Sequence, residues 1–112
     1  MDARYVQRGD AIDHTPIADV AAGDIVIQSK LVGVAKLNIK AGELGALALA
    51  GVYEVAKATG TAFAVGMEVG WNPTTKQAVA AGAAGSTKIG HAVALAGAGD
   101  SLVYVRLCQG LA

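Results

Sequence analysis

Leu31-Val32-Gly33-Val34-Ala35-Lys36-Leu37-Asn38-Ile39-Lys40-Ala41-Gly42-Glu43 is the stretch whose reading decides the fold. Leu31, Ala35, Leu37 and Ile39 share one parity, while Lys36, Asn38 and Lys40 take the other. This alternation predicts an extended block with an inner and an outer face, closed by an Ala-Gly-acidic turn. Fifty-seven residues further on, Ile89-Gly90-His91-Ala92 echoes Val32-Gly33-Val34-Ala35, and Ala98-Gly99-Asp100 echoes Ala41-Gly42-Glu43. The spacing between the two motifs is preserved. Each copy therefore reads as strand, loop, acidic turn and strand, a pseudo-duplication within one domain. A stacked solenoid needs at least about three repeats, so a closed or partly open β-barrel or a sandwich suits two copies better.

Working outward, glycine punctuates the chain from Gly23 onward, and the blocks between are rich in Val, Ile and Leu. Short strands joined by tight turns are the expected result. Asp24 to Gln28 should form a hairpin with the block that starts at Leu31. Leu44 to Ala50 has helix-favouring residues but spans only about two helical turns between glycines, so a strand is expected there as well. Val52 to Lys57 should place Tyr53 and Val55 opposite Glu54. Thr59 to Val65 reads as a connection or one short helix. Met67 to Trp71 and Gln77 to Ala80 should flank the Asn72-Pro73-Thr74-Thr75-Lys76 turn. Thr87 to Leu95 should carry Ile89, His91, Val93 and Leu95 on one face, and Ser101 to Leu107 should carry Val103, Val105 and Leu107 on one face. Residues 1–18 lack a helix-period pattern and read as an extended N-terminal arm, with at most short strands at Arg4–Val6 and Ala11–His14. Residues 19–112 then form a single compact all-β domain.

Composition bounds what such a domain can do. The 112 residues carry nine basic and nine acidic side chains, 54% hydrophobic residues, 4% aromatic residues, fifteen glycines and one cysteine. Neutral net charge argues against nonspecific duplex binding, which draws on clustered Lys and Arg releasing counterions. The lone Cys108 makes no internal disulfide, and no zinc-ligand spacing is present, so packing or assembly must hold the small core. No opening stretch has the form of a secretory signal. The tract from Leu44 to Val52 is too short to cross a bilayer as a helix, so a soluble protein without a membrane partner is expected.

Few residues invite chemistry. His14 and His91 lie outside any metal motif, and His91 reads as a half-buried member of a strand. The carboxylates are dispersed, and Asp24, Glu43 and Asp100, each following a glycine, are best read as acceptors for turn N–H groups. The phosphate-binding pattern of glycines followed by Lys and Ser or Thr is missing, since Ala83 to Lys88 resembles it only superficially. No catalytic residue, cofactor or metal is assigned. Arg4, Tyr5 and Arg8 are the best nucleic-acid candidates, but they form neither a basic stripe nor a periodic aromatic platform. A small nucleic-acid-binding or recombination-associated protein, and a ligand-binding β-barrel or enzyme, are the alternative readings. An arm that lies along another protein is favoured over both. Trp71 is a core or turn anchor, or else an oligomer-interface residue.

The ordered pattern resembles the small tailed-phage proteins grouped as DUF2190, some of which carry a predicted RecA/RadA-family recombinase label. The resemblance rests on Tyr5-Val6-Gln7 with Gly9-Asp10, Gly23-Asp24, Val32-Gly33-Val34-Ala35, Ala41-Gly42-Glu43, Gly51-Val52-Tyr53, Gly90, Gly99-Asp100 and Val105-Arg106-Leu107. It covers almost the whole chain. Met67 departs from the pattern, since the turn after Gly66 would more comfortably hold Asp. The recombinase label implies nucleotide-binding elements that are missing here. What the resemblance implies instead is a capsid decoration, or cement, protein on the outer surface of the virion head, with the major capsid protein as partner. It would be made in the host cytoplasm and would self-associate, as a trimer in preference to a dimer. Arg4, Tyr5, Val6, Gln7, Arg8, Asp10 and His14 are the capsid-contact candidates, and Trp71 is the oligomer-interface candidate.

Overall fold

In the computed structural model, which describes residues 2–109, the chain is all β. In chain order the strands are β1 (Ala11–His14), β2 (Ile25–Gln28), β3 (Leu31–Ala35), β4 (Gly45–Ala48), β5 (Val52–Ala56), β6 (Glu68–Asn72), β7 (Gln77–Ala80), β8 (Thr87–Ala92) and β9 (Leu102–Leu107). They form a four-stranded sheet ordered β1-β4-β3-β2 and a five-stranded sheet ordered β5-β9-β8-β6-β7. Neither sheet closes into a barrel. The five-stranded sheet comes nearest, through one parallel bridge between Lys57 and Ala78.

The chain divides into two compact units. Unit 1 holds residues 2–26 and 33–49, and unit 2 holds residues 27–32 and 50–109. The first packs Ala35, Ile39 and Leu47 against Ile12, Val20 and Val26. The second is larger, burying Val55, Phe63, Val69, Trp71, Ile89, Val103, Val105 and Leu107.

The two sheets are built alike. Strand order β1-β4-β3-β2 matches β5-β9-β8-β6, and β7 is an addition beyond β6. Matching turns make matching bonds. The Gly23 N–H donates to the Ala35 carbonyl and the Gly66 N–H to the Ala92 carbonyl, both at 2.7 Å, and both glycines have φ near +90°. That left-handed backbone is strained for a residue bearing a Cβ. Val20 and Ile39 exchange bonds of 2.8 Å, as Phe63 and Ala96 do at 2.9 Å. Leu49 N donates to Asp10 O at 2.8 Å, and Leu107 N to Gly51 O at 3.0 Å. The 57-residue echo is thus a structural repeat up to the acidic turn. After that turn, Ser101 is one extra residue: Gly45 pairs with His14 where Val103 pairs with Val55, which makes Leu44 the counterpart of Leu102.

Gly33 and Gly90 occupy the same repeat position and serve close packing. A Cβ on Gly33 would lie 2.8 Å from the Leu47 Cβ, and one on Gly90 would collide with the Arg106 carbonyl.

Of the two stretches read as at most short strands, Ala11–His14 is β1 and Arg4–Val6 is not a strand. Thr59 to Val65 is a connection, one of its two readings, pinned by the Phe63 bridge to Ala96. Other expectations need correction. The long alternating block stops at Ala35, and Val32, Gly33, Val34 and Ala35 are all buried, so both faces of β3 are covered. Leu37, expected to point inward, is exposed, because only Ile39 returns to pair with Val20. In β8 the alternation fails at a bulge: Val69 pairs with Gly90 and Gly70 with Lys88, which leaves Ile89 as the extra residue. Ile89 is buried, His91 is half-buried, and Val93 and Leu95, beyond the strand's end, are exposed. The parity of β9 is as expected, with Val103, Val105 and Leu107 inside.

Candidate functional site

The N-terminal segment is the most exposed part of the described chain. Residues 2–9 are exposed and belong to no strand, and Tyr5 and Val6 keep 79% and 84% of their surface open. Their order is local: Gln7 Nε2 donates to Ala11 O at 3.4 Å, and Arg8 pairs with Asp10 at 3.3 Å. Both partners of that ion pair face solvent, where such a pair adds little stability. The segment read as an arm therefore has two parts. Arg4, Tyr5, Val6, Gln7 and Arg8 stand clear of the fold, whereas His14 sits in β1, half-buried and opposite Gly45. Asp10 marks the boundary, since its carbonyl already accepts from Leu49.

Trp71 lies in β6, paired with Ala78 on one side and Thr87 on the other, and retains 8% of its surface. Trp71 is thus part of the buried core. His91 and Cys108 are each half-buried, and His91 lies opposite Glu68 on one side and Arg106 on the other. Among the described residues, no three His, Cys, Asp or Glu side chains come together as a metal-binding group.

A shallow hollow of about 350 Å³ in unit 1 is lined by Asp19, Val20, Ala21, Asp24, Asn38, Ile39 and Lys40. One side-chain oxygen of each of its polar residues Asp19, Asp24 and Asn38 accepts a backbone N–H. Asp19 Oδ1 accepts from Ala41 N at 2.9 Å, Asp24 Oδ2 from Ala21 N at 3.0 Å, and Asn38 Oδ1 from Ala22 N at 2.8 Å. Asp100 Oδ2 likewise accepts from Gly97 N at 2.8 Å. Asp24 and Asp100 thus take the turn roles expected of them, while in the Ala41 turn the acceptor comes from Asp19 and not from Glu43. In unit 2 the Asp24 position falls to Met67, whose sulfur accepts from Ala64 N at 3.2 Å.

Sequence reasoning missed two features. Lys57 is 2% exposed, and its Nζ donates to the carbonyls of Ala58, Ala98 and Asp100 at 2.9, 3.4 and 2.8 Å. All three donors of the amine head find acceptors. The second is a set of exposed aliphatic side chains, among them Ile17, Leu37 and Leu44 in unit 1, and Val65 and Leu95 on connections and Leu102 at the start of β9 in unit 2. The shared leucine before β4 and within the start of β9 was legible once the extra Ser101 is allowed for.

The chain belongs to a family described as phage cement protein, whose sequence model matches residues 6–107. No curated protein and no solved structure matches it. Family membership makes this a non-catalytic phage capsid decoration protein.

Proposed function

We propose that the protein binds the outer surface of the phage head and clamps the junctions between neighbouring major capsid subunits. The single observation that carries this reading is the family match over nearly the whole chain, residues 6–107. The exposed N-terminal residues give it a physical means. Arg4 to Arg8 combine two guanidinium groups with the apolar Tyr5 and Val6, and an unpaired backbone of that kind can add to the edge of a neighbouring sheet. Each molecule need contribute only a modest contact, because many copies on one closed shell hold it jointly against subunit opening. Self-association into trimers would suit local three-fold positions of such a shell.

The test is direct. Purified protein mixed with expanded, undecorated heads should bind saturably and raise the temperature or denaturant concentration at which the heads open. Heads that take up no protein while an authentic cement protein binds them would defeat the assignment.

A further inference from the structure

The hydrogen bonding of β3 is completed by a side chain. Ala35 turns its backbone groups toward the start of β2, since its N–H donates to Asp24 O at 3.0 Å and its carbonyl accepts from Gly23 N at 2.7 Å. Those groups alternate in direction along a strand, so Val34 and Val32 turn theirs the other way, where Val34 pairs with Ala48 of β4. By the same register Val32 would meet Ala50. β4 has ended at Ala48, however, and the chain bends at Ala50. Gln109 takes that place: the Val32 N–H donates to its Oε1 at 2.9 Å, and its Nε2 donates to the Val32 carbonyl at 2.7 Å.

The repeat shows what the side chain replaces. Ile89 is the counterpart of Val32, and its carbonyl accepts from the Cys108 N–H at 3.0 Å, so there the main chain just beyond β9 carries the ladder on. With Ser101 allowed for, Cys108 is the counterpart of Ala50. The side chain of Gln109 thus does for Val32 what the main chain of its neighbour does for Ile89. A primary amide is suited to this because it carries both a donor and an acceptor, as a peptide group does.

The segment it holds contains a strained turn. Residues 27–32 group with unit 2, although the chain through Val26 and from Gly33 groups with unit 1. Within that segment the turn from β2 to β3 gives Ser29 a φ of +58°. A left-handed backbone is costly for a residue bearing a Cβ and persists only where its surroundings hold it. Val32, buried and bonded through both backbone groups to Gln109, is such a hold.

We infer that Gln109 is a strap: its amide pins Val32 and keeps the Ser29 turn closed, and its release opens residues 27–32 while the rest of the fold stays formed. Gln109 is itself exposed. An exposed side chain lets go by rotating about its own bonds, whereas a strand must give up a whole ladder, so this is a low-lying local opening.

The experiment follows amide hydrogen exchange, residue by residue, in the full chain. In the unsubstituted protein the Val32 amide should open with little dependence on denaturant, while Val105 in β9 opens with the steep dependence of global unfolding. Gln109→Leu keeps the bulk but removes donor and acceptor, and Gln109→Asn keeps the amide on a stem one methylene shorter. Each variant should retain its circular dichroism and exchange Val32 at least about tenfold faster. Ser29→Gly, which relieves the turn, should slow Val32 exchange about threefold. A Val32 amide with the denaturant dependence of Val105 would overturn the strap, and that reading needs no variant to fold. So would Val32 exchange left unmoved by both Gln109 variants, since packing by the stem would then suffice. Exchange unmoved by Ser29→Gly would show that the turn and Val32 do not open together, and would overturn it as well.

Discussion

Lys57 shows how one side chain can govern a unit's stability without any role in contact. Its stem is buried in unit 2, and its Nζ satisfies the Ala58, Ala98 and Asp100 carbonyls, two of them in the turn that leads into β9. Lys57→Met would preserve most of the packing volume but take the amine donor from the Ala58 and Asp100 carbonyls, while the Ala98 carbonyl keeps the Gly60 N–H at 2.6 Å. A buried acceptor left without its donor costs about 1–3 kcal/mol. The expected loss is about 2–4 kcal/mol, read as a lower urea midpoint at unchanged slope; a midpoint within error of the parent would refute the latch. Met67 points the other way. It stands where Asp24 stands in unit 1, and its thioether is a weak acceptor for the Ala64 N–H. Met67→Asp should stabilise the protein by about 0.5–1 kcal/mol, since a carboxylate is the stronger partner for a turn N–H. The same denaturation measurement checks it, and destabilisation would show that the Met67 stem contributes packing that the repeat does not require. The misfit at Met67 and the acceptor roles of Asp24 and Asp100 were legible because turn chemistry is local. Lys57 was not, because its three acceptors include two that lie more than forty residues away in sequence.

At the scale of elements, the alternating pattern found β9 and β5 well, because each has one covered and one open face. It misread β3, which is covered on both faces and so has no period to detect. It misread the end of β8 because the bulge at Ile89 shifts the parity by one, and nothing in Thr87 to Leu95 announces a bulge. It set the arm's end too late, since Ala11–His14 is a full partner of β4. That boundary carries a prediction. Removing residues 2–9 takes away only exposed chain and two weak local contacts, so the melting temperature should hold while binding to expanded heads weakens at least tenfold. Removing residues through His14 deletes an edge strand and Ile12 from the small unit 1 core, and should lower stability outright. Equal binding with and without residues 2–9 would reject Arg4 to Arg8 as shell contacts.

At the scale of the whole molecule, the duplication explains why so little core yields a folded protein and why assembly should still matter. Unit 1's cluster of Ala35, Ile39 and Leu47, with Ile12, Val20 and Val26 packed against it, is a small one to offset the entropy of ordering its connections. Unit 2 adds β7 beyond β6 and gains the Lys57 bridge to Ala78, whereas unit 1 ends its sheet at β2. Size alone predicted this shortage, and the repeat was legible in Gly33 and Gly90, where a Cβ would meet the Leu47 side chain and the Arg106 backbone respectively. The exposed aliphatic residues were not legible, since they follow no period. If self-association completes the stability that the units lack, folding and assembly are linked. The melting temperature should then rise with protein concentration. Light scattering should give a mass three times that of the chain, falling on dilution in step with the melting temperature. A single-chain mass at every concentration, with a melting temperature that does not move, would show that both units stand alone and that the shell is the protein's only partner.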